Sequence, residues 1–183
     1  MNIFFTSSDP KQCAYDLDDK RGNKIILEVA QMLSTAVQIH NLGLGITPPN
    51  LKAHRANFEA LSRDVGIYKP THINHPTNIW IRTTRSNYLW ALEHMKELVN
   101  VKLLATGKGH KSSELIPLLK KLSSLIPEGE LTPFANCAAN QSIGLDYKHL
   151  EVHEAYRKYL SERWKLDKRE PTWYGREEPT WRR

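Results

Sequence analysis

Two cysteines, Cys13 and Cys137, are all that the 183-residue chain contains. They lie far apart and form no C-x-x-C pair, so neither a zinc ribbon nor a dithiol redox centre is supported. Two lone thiols read as free cysteines in a reducing compartment, which makes the cytoplasm the expected location. No long uninterrupted apolar run occurs and the mean hydropathy is negative, against a membrane span. The apolar start, Met1 to Thr6, is too short for a signal peptide and has no basic leader. Also absent are a nucleophile elbow, a dinucleotide fingerprint, a metalloprotease helix and any substantial set of alternating strand segments. The class expected is all-α: a compact helical bundle around a long central helix, followed by an irregular tail.

Negative charge is in deficit. Lys and Arg number 26 against 20 Asp and Glu, a net charge of +6. That balance favours anionic partners, above all polyphosphates. The chain length suits one helical domain over residues 1–167 with an aromatic and basic tail over 168–183.

Helical periodicity carries most of the rest. Asp9-Pro10 is a capping side chain followed by proline at the first helical position, and a helix is expected from there to about His40, with an interruption at Gly22. A second is expected over Leu51–Val65. The longest is expected from Pro76 or Thr77 to Ala105, with Trp80, Ile81, Tyr88, Leu92, Met95, Val99 and Leu103 as its apolar stripe. Shorter helices follow over Ser112–Leu125 and Asp146–Leu166, separated by a long surface connection over 127–145. In the tail, Glu170-Pro171-Thr172-Trp173 recurs as Glu178-Pro179-Thr180-Trp181, and its prolines forbid a continuous helix.

Several constellations bear chemistry. Lys20, Lys24 and Glu28 are spaced by four and share one helical face, and Glu28 sits among Leu27, Val29 and Ala30 at the edge of the core. A partly buried carboxylate there suits general acid or base work, with a surface ion pair to Lys24 as the plainer reading. Asp16, Asp18 and Asp19 read as a solvated cluster rather than a metal site. The loop carrying His72, Asn74 and His75 feeds into the long helix, where Arg82, Arg85, Asn87 and Tyr88 follow; a helix start with cations nearby suits a phosphate. The run Thr106-Gly107-Lys108-Gly109 departs from phosphate-loop spacing and follows no strand, so that reading is rejected. Towards the C-terminus, cations including Arg163 and Lys165 interleave with Tyr156, Tyr159, Trp164 and Trp173, a pattern that can neutralise phosphates and stack on unpaired bases.

The tail segment Arg169-Glu170-Pro171-Thr172-Trp173-Tyr174 is similar to an Arg-Pro-Thr-Trp-Tyr run in the small all-α phage pyrimidine-dimer DNA glycosylases. The order of features resembles that family too: a short extended start, a helix with a glutamate, a loop into a central helix, a basic helix and an aromatic tail. The segments Ile26–Ala36, Asn74-His75-Pro76 and Asn87-Tyr88-Leu89-Trp90 resemble uncharacterised phage and bacterial proteins. What the family resemblance implies is DNA as partner and base excision with strand cleavage. The N-terminal amine, here on Met1, would attack the sugar carbon to form a Schiff base, assisted by Glu28 or, in another alignment, Asp19. An α-amine with an intrinsic pKa of about 7.7–8.0 is partly neutral and nucleophilic near neutral pH. Lys20, Lys24, Arg82, Arg85 and Lys165 would hold phosphates, and His72, Asn74, His75, Tyr88 and Trp173 would contact the nucleic acid, with no metal or cofactor. The alternative is a non-enzymatic module binding a nucleotide or nucleic acid through His72, His75, Arg82 and Arg85.

Overall fold

A computed structural model describes residues 2–182. The fold is all-helical: seven α-helices, 3-10 turns and a single two-residue ladder among the described residues. Helix α1 (Pro10–Asp16) starts where Asp9 accepts the Lys11 N–H at 3.0 Å, with Pro10 in the first turn. It stops earlier than its periodicity implies. Leu17 turns extended and is fully buried, and Asp18 caps a new helix, α2 (Asp19–Asn41), by accepting the Arg21 N–H. The interruption therefore falls at Leu17-Asp18 and not at Gly22, which is buried inside α2 against Leu98.

Helix α3 (Arg55–Val65) follows a 3-10 turn at Leu51–His54 and ends at Gly66 in the left-handed region, which only glycine adopts cheaply. The expected central helix is two helices. α4 (Pro76–Thr83) and α5 (Arg85–Thr106) are separated by Thr84, whose φ of −138° and ψ of 158° are extended. Thr84 breaks and restarts the helix in one step: its Oγ1 accepts the Asn87 N–H at 3.2 Å. Helix α6 (Ile116–Leu122) is one tight element between two 3-10 turns. In the stretch expected to be a featureless connection, Ala139–Asn140 (β1) pairs antiparallel with Leu145–Asp146 (β2). Helix α7 (Val152–Lys165) begins later than its sequence pattern implies, capped by the Glu151 carboxylate.

Helix α2 packs chiefly on α5 and α4, while α1 lies across α5. The buried faces of these helices, with Tyr156, Tyr159, Leu160 and Trp164 of α7, enclose one apolar core. The N-terminal segment threads that core. Ile3 and Phe5 are fully buried, and the Phe5 ring lies 4.9 to 5.8 Å from the rings of Trp80, Trp90, Phe134 and Tyr156.

The tail packs on this body. Trp173 and Trp181 of the two repeats flank Trp164, at ring distances of 5.1 and 5.5 Å. Trp173 Nε1 donates to the Asp16 carbonyl, and the Arg176 guanidinium bonds the Asp19 carboxylate at 2.6 Å. Among the described residues no helix is long and apolar enough to cross a membrane.

Candidate active site

The N-terminal segment, the first turns of α2, the start of α4, strand β1 and the end of α7 meet around a cavity of about 450 Å³. Glu28 lies at its inner wall, 9% exposed. Its Oε2 accepts the main-chain N–H of Asn2 at 3.0 Å, and its Oε1 pairs with Lys24 Nζ at 3.2 Å. The helical spacing that put Lys24 and Glu28 on one face thus survives as a real ion pair. The contact with Asn2 joins residues 26 positions apart and is invisible to spacing.

Asn2 is clamped by its side chain. Its Nδ2 donates to the Cys137 carbonyl at 3.3 Å, and its Oδ1 accepts the Phe4 N–H at 3.3 Å. The Tyr156 hydroxyl lies 3.1 Å from Asn2 Oδ1 and accepts the Cys137 N–H at 2.9 Å. Burial raises the Tyr156 pKa well above the ordinary phenol value, so the hydroxyl stays protonated and its network fixed. Phe4 has a φ of 61°, a costly conformation for a bulky residue, worth on the order of 1–3 kcal/mol. The Phe4 ring stacks on Tyr159, 6.0 Å away at an interplanar angle of 24°, and both line the cavity.

Four cations, Lys20, Arg21, Lys24 and Arg163, surround the opening against the carboxylates of Glu28 and Asp167. Arg21 is held between Asp18 at 2.9 Å and Asp167 at 2.8 Å, and Arg163 bonds Asp167 at 3.3 Å. Those two guanidinium groups are therefore oriented, while Lys20 and Lys24 are exposed, Lys24 with its Nζ on Glu28. A rim of this kind suits phosphates flanking a group inserted toward Glu28.

His75 also lines this cavity and borders a shallower, mainly apolar groove lined by Leu51, Pro70, His72, Ile73 and Asn74. It caps α4, its Nδ1 accepting the Thr77 N–H at 3.2 Å. Burial lowers its pKa, which favours the neutral ring. His72 and Asn74 are exposed in that groove and outside the Glu28 cavity.

Other expected site residues lie elsewhere. Arg82 is fully buried; its Nε donates to the Ile46 carbonyl at 2.7 Å and its Nη1 to Asn78 Oδ1 at 3.1 Å. Burial lowers its pKa to about 10. A guanidinium sealed in this way cannot meet a phosphate, because it would have to leave its internal carbonyl. Arg85 ties down the end of the α6 segment, donating to the carbonyls of Ser123, Ser124 and Ile126 and pairing with Glu128. Tyr88 is a core residue whose hydroxyl donates to the Leu119 carbonyl at 3.0 Å, and burial raises its pKa. Asp19 accepts from Thr172, Tyr174 and Arg176 and fastens the tail; it does not line the Glu28 cavity. Trp173 is buried beneath Arg182, and Lys165 pairs with Glu162 beside the tail. The four-residue site of the alternative reading is thereby dispersed, since only His72 and His75 remain in one groove. Met1 lies outside the described residues.

Sequence reasoning passed over Asn2, Arg21, Asn140 and Asp167. Arg21 had a signal, standing seven residues before Glu28 on the same helical face. Asn140 and Asp167 come from a surface connection and a helix end and had none. Among the described residues no three His, Cys, Asp or Glu side chains are grouped to hold a metal ion. Compared with known protein families, with curated proteins and with solved structures, the chain finds no match.

Proposed function

We propose that the chain is a DNA-binding base-excision enzyme, a glycosylase and abasic-site lyase acting through the amine at position 1 and Glu28. The observation that carries this reading is the Asn2 main-chain nitrogen, held 3.0 Å from the Glu28 carboxylate in a cavity rimmed by four cations. Residue 1 is joined by its peptide bond to that nitrogen, which is what brings its amine into the proposal. Glu28 would take the proton that the amine loses on attacking the sugar C1′ and return it to the ring oxygen as the sugar opens. Lys24 keeps that carboxylate oriented, and Lys20, Arg21 and Arg163 would grip the phosphates on either side. A cavity this size accommodates one unstacked nucleotide rather than a base inside a duplex, so the target must be extruded.

Borohydride trapping on duplex DNA with an abasic site tests the reading. A covalent adduct is expected, lost when the terminal amine is blocked and reduced by about 10²–10⁴-fold in Glu28→Gln, the usual range for a general acid or base. Intact mass of the adduct identifies whether Met1 or Asn2 bears the amine. Absence of an adduct with DNA binding intact would remove the Schiff-base chemistry and leave a nucleic-acid-binding module.

A further inference from the structure

His75 is locked in one tautomer by its own helix. Because Nδ1 accepts the Thr77 N–H, the proton of the neutral ring is on Nε2. Protonating Nδ1 would oppose two N–H groups and put a cation at the positive end of α4. Among the described residues Nε2 has no hydrogen-bond partner, while the ring borders the cavity that holds Glu28. Asn140, which also lines that cavity, has its Oδ1 occupied by the Ser142 N–H at 3.1 Å and the Ser142 hydroxyl at 2.7 Å, which leaves its amide N–H groups to donate. The cavity therefore brings the Glu28 carboxylate together with uncharged donors from His75 and Asn140.

Resting on the base-excision reading, we infer that His75 is a catalytic electrophile for the departing base, its Nε2–H donating to the acceptor beside the glycosidic nitrogen: O2 of a pyrimidine or N3 of a purine. The amine lone pair forms the N–C1′ bond as the C1′–base bond breaks. The departing electron pair spreads over the ring nitrogen and that neighbouring acceptor, where the His75 N–H meets it; water later protonates the free base. The amine proton passes to Glu28 and then to O4′ as the C1′–O4′ bond opens to the iminium. A neutral imidazole suits this task because it stabilises the growing negative charge without first having to be protonated. It acts only while a base is leaving, so it belongs to base release and not to lyase chemistry at a site whose base is already gone.

The test compares two reactions in wild type and His75→Ser, a substitution that keeps a helix-capping oxygen and removes the N–H. One is borohydride trapping on an abasic duplex; the other is base release from duplexes carrying uracil, thymine glycol or an alkylated purine. The ratio of base release to trapping should fall by about 100- to 1000-fold in His75→Ser, the effect of removing one preorganised donor to a developing anion. Equal loss in both reactions would reduce His75 to a helix cap and overturn the assignment. So would trapping by wild type without release of any base, which makes the chain a lyase alone. Failure of wild type to trap at all would instead remove the underlying reading. Thermal unfolding of His75→Ser checks that α4 still forms, with His75→Asn as the substitute cap if it does not.

Discussion

At the scale of single residues, burial determines which ionisable groups are available for chemistry. Cys13 is sealed on the buried face of α1, where desolvation pushes its thiol up to about 12, so it is no nucleophile at neutral pH. His94 shows the same force acting on a base. It is fully buried, stacks on Trp90 at 5.5 Å, and its Nδ1 sits 3.0 Å from the Pro10 carbonyl, leaving Nε2 without a partner among the described residues. Burial lowers its pKa from 6.5 to about 4. The unfolded chain then binds the proton more readily than the folded one, so stability rises with pH between those values. The contribution of this residue is complete above pH 6.5 and is lost progressively as the pH falls toward 4. Its size is roughly 3 kcal/mol on the scale of 1.36 kcal/mol per pKa unit. Urea unfolding followed from pH 7 to pH 4 should show that loss, and His94→Gln should show a visibly flatter profile.

At the scale of elements, capping side chains decide where helices stop. Both long helical patterns in the sequence are interrupted where a side chain caps a new helix: Leu17 ends α1 and Asp18 caps α2, while Thr84 both ends α4 and caps α5. The apolar spacing continues across both breaks, which is why periodicity alone joins the pieces. Thr84 also donates to the Glu130 carbonyl at 3.0 Å, tying the junction to the following loop. Thr84→Ala should cost about 1–2 kcal/mol of unfolding free energy in a denaturant titration, the range for losing a threonine cap. A change below a few tenths would mean that the break is held by packing alone. The consequence for the site is direct: the cap on α4 is His75 itself, so one side chain both starts a helix and borders the cavity.

At the scale of the whole molecule, positive charge is sorted between two duties. Arg82, Arg85 and Arg176 work inward, on carbonyls and on the tail-binding Asp19, and add nothing to a docking surface. Lys20, Arg21, Lys24 and Arg163 gather around the Glu28 cavity. Under the proposed reading, duplex affinity should fall with salt at a log–log slope of about −2.7, from −0.9 for each phosphate engaged by Lys20, Arg21 and Arg163. Lys20→Ala should lower the slope by about 1, whereas Lys165→Ala should leave it unchanged, as read by fluorescence anisotropy between 50 and 300 mM salt. An unchanged slope for Lys20→Ala would show that phosphates bind elsewhere.

Local patterning determined the all-helical class, the Lys24–Glu28 pair and the basic balance, because each depends on neighbours within two helical turns or on composition. It also marked Glu28 and His75 as chemically capable. Only the tertiary structure decided that Asn2 and His75 share a cavity with Glu28, that Arg82 and Tyr88 are core, and that Asp19 serves the tail. Those outcomes depend on long-range packing: an arginine two turns from a histidine reads the same in sequence whether its helix turns that face to solvent or to the core. What turns it inward is burial of Trp80 and Ile81 beside it, a property of the folded whole.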